Sequence, residues 1–245
     1  MQKGKRQLRH FRKNKVVCIK QELWGECGMK SAEQFWNVIS IYNQQTMWLQ
    51  IPMVIILIGL VLMALFIRKE WMQTSLKVSL FAVFLWVGIV FFWVCDQSVM
   101  GRFFAGPLYI LVGLLFLVDA IKKNMVFELH KIKILRVFTV MFILLYALYP
   151  LFSFALGQRY PSIVIFIMPC PLVVMALTLV STAKGKVNKL LVLLLLLWAF
   201  TGLPKSIMFN VYEDLILFMS GLYTVAYLVY SKRKYKRFGE GGWIE

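Results

Sequence analysis

Long apolar stretches separated by short polar segments run along the chain from Trp48 to Tyr230. Within each stretch the apolar residues are continuous, and a helix needs roughly 20 of them to cross a hydrocarbon core about 30 Å thick. The pattern predicts an all-α integral membrane protein, a bundle of about seven transmembrane helices over residues 47–230. The sixth stretch needs Lys205 to reach full length, and a re-entrant segment is the alternative there. The predicted spans are Met47–Ile67, Ser75–Cys95, Phe103–Ile121, Val137–Leu156, Ser162–Val180, Leu190–Phe209 and Val211–Tyr230.

The composition agrees with a membrane protein. The 245 residues are 60% hydrophobic and only 16% charged, whereas soluble domains carry about 25% charged residues. The net charge of +17 invites a nucleic-acid partner, but the basic residues flank the apolar stretches instead of forming one face, so we expect none. The predicted partners are the lipid bilayer and, at the basic loops and the tail 231–245, anionic lipid.

Lysine and arginine are concentrated in every second gap between the stretches. The odd-numbered gaps and the tail hold sixteen of them, with Lys77 included, and the even-numbered gaps hold three. The positive-inside rule then predicts an N-terminus outside and a C-terminus in the cytoplasm. Residues 231–245 are then predicted to form a basic cytoplasmic tail.

The first 28 residues differ from the rest of the chain because they are basic and lack the apolar core of a signal peptide. The segment from Met29 onwards resembles an ordinary bacterial start, so residues 1–28 are predicted to be a leader translated from a misplaced start codon. A disordered basic arm that binds lipid or RNA is the alternative. Residues 31–46 have apolar side chains at helical spacing and are predicted to form an amphipathic helix in the outer interface.

The unusual polar residues fall near the predicted outer boundary. Pro52, Pro107 and Pro161 are predicted to lie in first turns of helices, where proline is tolerated. Three other prolines are predicted to lie in helix interiors, where they free backbone carbonyl groups: Pro150, Pro169 and Pro171.

Such carbonyl groups should face protein or a wet cavity instead of lipid. This predicts a shallow outward-facing pocket near Met168–Pro171, with Arg159 and Tyr160 at its mouth. Helix bending without any ligand is the alternative.

The acidic residues have structural explanations that compete with functional ones. Asn210 and Glu213 have the spacing of a capping box at the start of the seventh span, and Lys205 is near enough in sequence to neutralise Glu213 or Asp214. A proton or cation relay is the alternative for this pair. Asp119 is expected to form a surface ion pair with Lys122 or Lys123 on its own helix.

The sequence predicts neither a metal nor a cofactor. The four cysteines have no CxxC spacing, and two histidines are too few for a histidine-based site. Cys170 is predicted about 12 Å deep and Cys95 at the surface, which is too far apart for a disulfide. No phosphate-binding loop or catalytic-triad motif is present in the sequence, so an enzyme is not supported.

Three strings carry a family resemblance: FWNVISIYNQQTMWLQI, GQRYPSIVIFIMPCP and EDLILFMSGL. They resemble an uncharacterised family of bacterial multi-pass membrane proteins, the domain of unknown function 6064, over roughly Glu33 to Leu222. The chain departs from the family at Phe91-Phe92, where members tend to carry a tyrosine–histidine pair. The resemblance implies a bacterial plasma-membrane protein and supplies no activity.

Two classes of function stay open at this point. The first is a small-solute or ion carrier, or a receptor-like binder, that uses the pocket; the second is a structural or assembly partner within the membrane. An enzyme comes third, with Cys170 as its nucleophile. The candidate pocket residues are Arg159, Tyr160, Pro169, Cys170, Pro171, Lys205, Glu213 and Asp214. The secondary candidates are Tyr42, Asn43, Asp96 and Arg102.

Overall fold

The chain is helical over most of its length. The computed structural model describes the backbone of residues 2–67, 69–96 and 98–238, and the side chains of residues 32–67, 69–96 and 98–232. Two π-helical segments, Val87–Cys95 and Gly101–Ala105, continue the end of α2 and lead into α3. The other elements are α1 (Gln2–Ile67), α2 (Glu70–Trp86), α3 (Gly106–Lys122), β1 (Met125–Phe127), α4 (Lys133–Ala147), α5 (Tyr149–Ala155), α6 (Pro169–Thr182), β2 (Ala183–Gly185), α7 (Lys189–Phe200), α8 (Gly202–Met208) and α9 (Asp214–Phe238).

The all-α membrane class is confirmed. Among the described residues five helical segments are long and apolar enough to cross a membrane, and a sixth is added if the pair α4–α5, bent by 59°, counts as one span. The five are Ala32–Ile67, Glu70–Cys95, Gly101–Lys122, Lys189–Met208 and Asp214–Lys232. The structure describes no side chains for residues 1–28, the predicted leader, so this assignment stays a prediction.

The predicted fifth span differs most from expectation. Ser162–Val180 is helical only from Pro169 onwards, and α6 has 14 residues, all of them buried. At about 1.5 Å per residue such a helix is roughly 21 Å long, too short for a 30 Å core. α6 is buried on all sides and is the central helix, packed against α4, α7 and α9.

Several predicted proline positions are wrong. Pro169 and Pro171 lie in the first turn of α6 instead of in a helix interior, and Pro161 lies outside any helix. Pro150 is in the first turn of α5, just after the bend, whereas Pro52 is inside α1. The segment before Pro169 is not helical, so α6 begins later than predicted. Pro169 and Pro171 therefore fall in its first turn, where a residue without a backbone N–H is tolerated.

The connections between the helices gather at two ends of the bundle. At one end β1 pairs with β2 in antiparallel register, with Val126 opposite Lys184, and the α1–α2 connection lies there too. We name this the sheet end. The opposite end holds the connections 96–100, 156–168 and 209–213.

Asp119 does not form the predicted ion pair with its helix neighbours Lys122 and Lys123. Its carboxylate faces α2, where Oδ2 lies 2.7 Å from the Nζ of Lys77, a residue that is 1% exposed. The ammonium group of Lys77 also donates to the carbonyl of Met125 at 2.6 Å. Lys123 instead pairs with Glu70 at the surface. The buried pair joins α2, α3 and β1 at the sheet end.

Candidate functional site

The start of α1 packs on protein instead of standing apart from the bundle. Residues 31–46, predicted as a separate interfacial helix, continue into the first span as part of α1. Ile39, Tyr42, Asn43, Thr46 and Gln50 are buried at steps of one to four residues, which places them on one face of the helix. This face meets the segment between α5 and α6.

Polar side chains of α1 replace the helical hydrogen bonds that this segment lacks. The Tyr42 hydroxyl donates to the carbonyl of Ile167 at 2.7 Å. The amide of Asn43 donates to the carbonyls of Pro161 and Ile163, at 2.7 and 2.8 Å. A non-helical backbone at membrane depth is stable only where protein satisfies its polar groups. Two of the motifs that carry the family resemblance therefore meet in space.

The neighbouring helices complete the support. The Tyr109 hydroxyl of α3 donates to the carbonyl of Pro169 at 2.7 Å, and Ser153 Oγ accepts from the backbone N–H of Val164 at 3.1 Å. The Trp86 indole donates to the Tyr42 hydroxyl at 3.1 Å, which fixes that side chain in turn. The start of α6 is thus held rigidly at the end of the bundle opposite the sheet.

A cavity of about 390 Å³ lies beside the start of α6. It is enclosed by α1, the π-helical segments and the beginnings or ends of α6, α7, α8 and α9. Its floor is buried and includes Phe91, Phe92 and Cys170, whereas Met100 and Phe104 at its mouth are exposed. We name this the cavity end of the bundle.

Most of the predicted pocket residues line this cavity. Pro169, Cys170, Pro171, Lys205 and Asp214 do so, and among the secondary candidates so does Asp96.

The predicted mouth is wrong. Arg159 and Tyr160 do not line the cavity. The guanidinium of Arg159 folds back over the Phe154 ring, 4.0 Å from its centroid, and donates to the carbonyls of Phe154 and Gln158. These contacts hold the Arg159 side chain against its own segment and away from the cavity. The side chain of Tyr160 is 58% exposed.

The remaining candidates also lie outside the cavity wall. Tyr42 and Asn43 do not line the cavity; they hydrogen-bond to the backbone of the neighbouring segment 161–167. Arg102 is exposed, and its carbonyl accepts from the Trp93 indole at 2.8 Å. Glu213 is 3% exposed, and neither of its carboxyl oxygens has a hydrogen-bond partner among the described residues.

Asn210 does not cap α9 as expected. The helix begins at Asp214, four residues later, and Asn210 has a positive φ of 55°. The predicted capping box with Glu213 is therefore wrong. The connection instead uses Asn210 to turn the chain, a left-handed conformation that asparagine tolerates better than most residues.

Asp214 is the best-connected polar group of the cavity wall. Its Oδ1 accepts from the Tyr149 hydroxyl at 3.0 Å, and its Oδ2 accepts from the Cys170 thiol at 3.1 Å. The Tyr149 hydroxyl also lies 3.0 Å from the carbonyl of Glu213. This network joins α5, α6 and α9 at the floor, where a buried carboxylate needs such partners.

Lys205 and Trp198 form the part of the wall next to Asp214 and Cys170. The Lys205 Nζ lies 3.6 Å from the centroid of the Trp198 ring, a cation–π contact. The indole N–H of Trp198 is buried and approaches the Cys170 thiol, yet it has no hydrogen-bond acceptor of ordinary geometry. Trp198 is not among the residues predicted from the sequence. Its position seven residues before Lys205, two helical turns away on the same face, was the signal that could have found it.

The described residues contain no group of three or more histidine, cysteine or acidic side chains placed to hold a metal ion. Cys95 and Cys170 are both buried free thiols.

Comparison with known proteins places the chain in a family. The model described as "Family of unknown function (DUF6064)" matches residues 32–238, which include every helix span and the whole cavity wall. No curated protein and no solved structure matches the chain. Because the match covers most of the chain, this protein belongs to the DUF6064 family.

Proposed function

We propose that this protein is a multi-pass protein of the bacterial plasma membrane that binds a small, largely apolar solute in the cavity, as a carrier or a receptor-like binder. The family has no established activity, so the proposal rests on the cavity. We further expect the cavity end to face the outside of the cell, because the basic residues of the chain are concentrated at the sheet end.

The observation that carries the proposal is the size and lining of the cavity. A volume of about 390 Å³ falls within the roughly 300–1,000 Å³ that is usual for small-molecule sites. Its walls are mainly aliphatic and aromatic, and the carboxylate of Asp214 is held in a fixed position by Tyr149 and Cys170. Apolar walls with a few oriented polar groups are typical of a ligand site.

A cavity-filling substitution tests this function. In Val38→Trp the new indole would occupy the cavity, because Val38 lines it from α1. The matched control is Val78→Trp, at a lipid-exposed position of α2 that does not line the cavity. Binding of radiolabelled decanol is measured in lipid nanodiscs, with empty nanodiscs as the partition background.

We expect saturable binding of about one decanol per wild-type protein, at least roughly tenfold weaker binding to Val38→Trp, and unchanged binding to Val78→Trp. No saturable binding by the wild type would refute the proposed function and favour a structural or assembly partner. Equal binding by the two variants would show that decanol occupies another site.

A further inference from the structure

Two neighbouring carboxyl groups at the cavity end differ in how they are bonded. Asp214 accepts hydrogen bonds from Tyr149 and Cys170, and the ammonium group of Lys205 lies within electrostatic range of it. Glu213 is 3% exposed, and neither of its carboxyl oxygens has a hydrogen-bond partner among the described residues. Both carboxyl groups are buried, but only that of Asp214 has partners that suit a negative charge.

The surroundings of Glu213 favour a neutral side chain. A carboxylate there is costly, because burial removes water from the charge and no described donor replaces it. The Ser153 hydroxyl of α5 approaches the Glu213 carboxyl without a hydrogen bond of ordinary geometry. Burial raises the pKa of the Glu213 carboxyl, and the negative charge of Asp214 raises it further. Two acids in such different surroundings divide into one ionised and one protonated group.

The charged and titratable groups around Glu213 come from several elements. Asp214 follows it at the start of α9, and the Tyr149 hydroxyl of α5 lies 3.0 Å from the backbone carbonyl of Glu213. Cys170 of α6 and Lys205 of α8 both interact with Asp214. No hydrogen bond joins any of these four described groups to the Glu213 carboxyl.

The segment that ends at Glu213 also forms part of the cavity wall. Phe209 and Val211 line the cavity from this segment, and Val211 is 1% exposed. The ring of Phe209 stacks on that of Phe35 in α1, with 5.0 Å between centroids, and the Trp36 indole donates to the Phe209 carbonyl at 3.2 Å. Ionisation of Glu213 would draw water into this packed segment, and any shift of the segment moves the cavity wall.

We propose that Glu213 is a proton-binding site and that the solute and a proton bind to this protein together. This inference rests on the proposed function and names the ion to which solute binding is coupled. With the proton bound, the carboxyl is neutral and the segment stays packed against the cavity. Without the proton, the carboxylate needs water, and the wall formed by Phe209 and Val211 loosens. Because such coupling is reciprocal, a bound solute in turn favours the protonated carboxyl.

A metal cation is the competing ligand of Glu213. Hard cations such as Ca²⁺ take about six to eight oxygen ligands. The part of the chain that the structure describes contains no group of three or more histidine, cysteine or acidic side chains placed to hold a metal ion. A proton needs only one carboxyl oxygen, so it is the ion that fits these surroundings.

The pH dependence of decanol binding tests the coupling, because decanol itself does not titrate near neutral pH. Decanol is titrated into the full chain in phosphatidylcholine nanodiscs, in buffers from weakly acidic to weakly alkaline, with empty discs as background. Since the protonated carboxyl favours the closed wall, decanol should bind tightly below the raised pKa of Glu213 and about tenfold more weakly above it. Replacement of sodium by choline in the buffer should leave the affinity unchanged.

Two variants and a spectrum assign the proton to Glu213. Glu213→Gln is neutral at every pH and resembles the protonated acid in shape, so it should keep the high affinity of the acidic form in all buffers. Glu33→Gln is the matched control, because Glu33 is exposed on α1 and does not line the cavity, and it should keep the wild-type pH dependence. In weakly acidic buffer, where exposed carboxyl groups are ionised, the infrared spectrum of the wild type should contain a protonated-carboxyl band that Glu213→Gln lacks.

The outcomes separate this inference from the proposed function. If the wild type binds decanol equally at every pH, the coupling is refuted and the cavity still binds apolar solutes. If no saturable binding occurs at any pH, the proposed function fails, and the infrared band alone decides whether Glu213 holds a proton. If Glu213→Gln keeps the wild-type pH dependence, if sodium alters the affinity, or if the band is unchanged in Glu213→Gln, the assignment of a proton to Glu213 is wrong.

Discussion

Lys77 is a lysine whose ammonium group lies inside the protein, 1% exposed, on a helix long enough to cross a membrane. Two partners stabilise this buried charge: the carboxylate of Asp119 and the carbonyl of Met125. Burying a charge is costly unless it is paired and hydrogen-bonded, so the pair persists only as a unit.

We predict that Lys77→Met lowers the free energy of unfolding by about 3–5 kcal/mol, because it leaves the Asp119 carboxylate buried and unpaired. The double variant Lys77→Met with Asp119→Leu should recover most of that loss, since no charge then remains buried. Lys123→Met breaks only an exposed pair with Glu70 and should cost less than about 1 kcal/mol. Steric trapping or detergent titration of the four proteins measures this, and a single variant as stable as the control contradicts the account.

The sequence could not assign this pair. Lys77 lies close to the start of an apolar stretch, so its charge looked like part of the loop, and Asp119 had two nearer lysines on its own helix. The partner was decided by which face of α3 meets α2, and that is a property of tertiary packing.

At the scale of elements, the start of α6 is the feature that organises the cavity end. The segment 162–168 is not helical, and its carbonyls at Ile163 and Ile167 accept from Asn43 and Tyr42 of α1. Tyr109 of α3 donates to the carbonyl of Pro169, the first residue of α6. The cavity lies against this segment, so its shape depends on those three contacts.

We predict that Tyr42→Phe lowers the free energy of unfolding by about 1–3 kcal/mol, because the carbonyl of Ile167 loses its donor in a buried site. Decanol binding should weaken as well, since the cavity floor is no longer held. Tyr212→Phe is the control, because that side chain is 53% exposed and its hydroxyl has only a long 3.5 Å contact. Equal stability and equal binding in the two variants would show that the Tyr42 hydroxyl does not support the segment.

The helical stretches were predictable because long continuous apolar runs have one stable solution in lipid. The break before α6 was only partly predictable. The prolines indicated unwound backbone near Met168, and the pocket lies there, but the unwinding runs from residue 156 to 168, before Pro169 instead of around it. Apolar composition cannot distinguish a lipid-facing helix from a buried extended segment, because both exclude water.

At the scale of the whole molecule, the two ends have different chemistry. The sheet end carries most of the described basic residues outside the helix interiors, including Lys122, Lys131 and Lys184, whereas Arg102, Arg159 and Lys205 lie at the cavity end. The positive-inside rule applied to this arrangement predicts that the cavity opens to the outside. A solute binder of this kind would take its ligand from the outer leaflet or the external medium.

Accessibility of the cavity wall tests the central claim most directly. In a chain whose native cysteines are replaced by serine, which keeps the donor at position 170, Val38→Cys places a thiol on the cavity wall and Lys131→Cys places one at the sheet end. An impermeant methanethiosulfonate reagent is added to intact bacterial cells with and without decanol. We predict that Val38→Cys reacts from outside and is protected by decanol, and that Lys131→Cys reacts only after permeabilisation. The reverse sidedness, or labelling of Val38→Cys at the same rate with decanol present, would contradict an outward-facing site for an apolar solute.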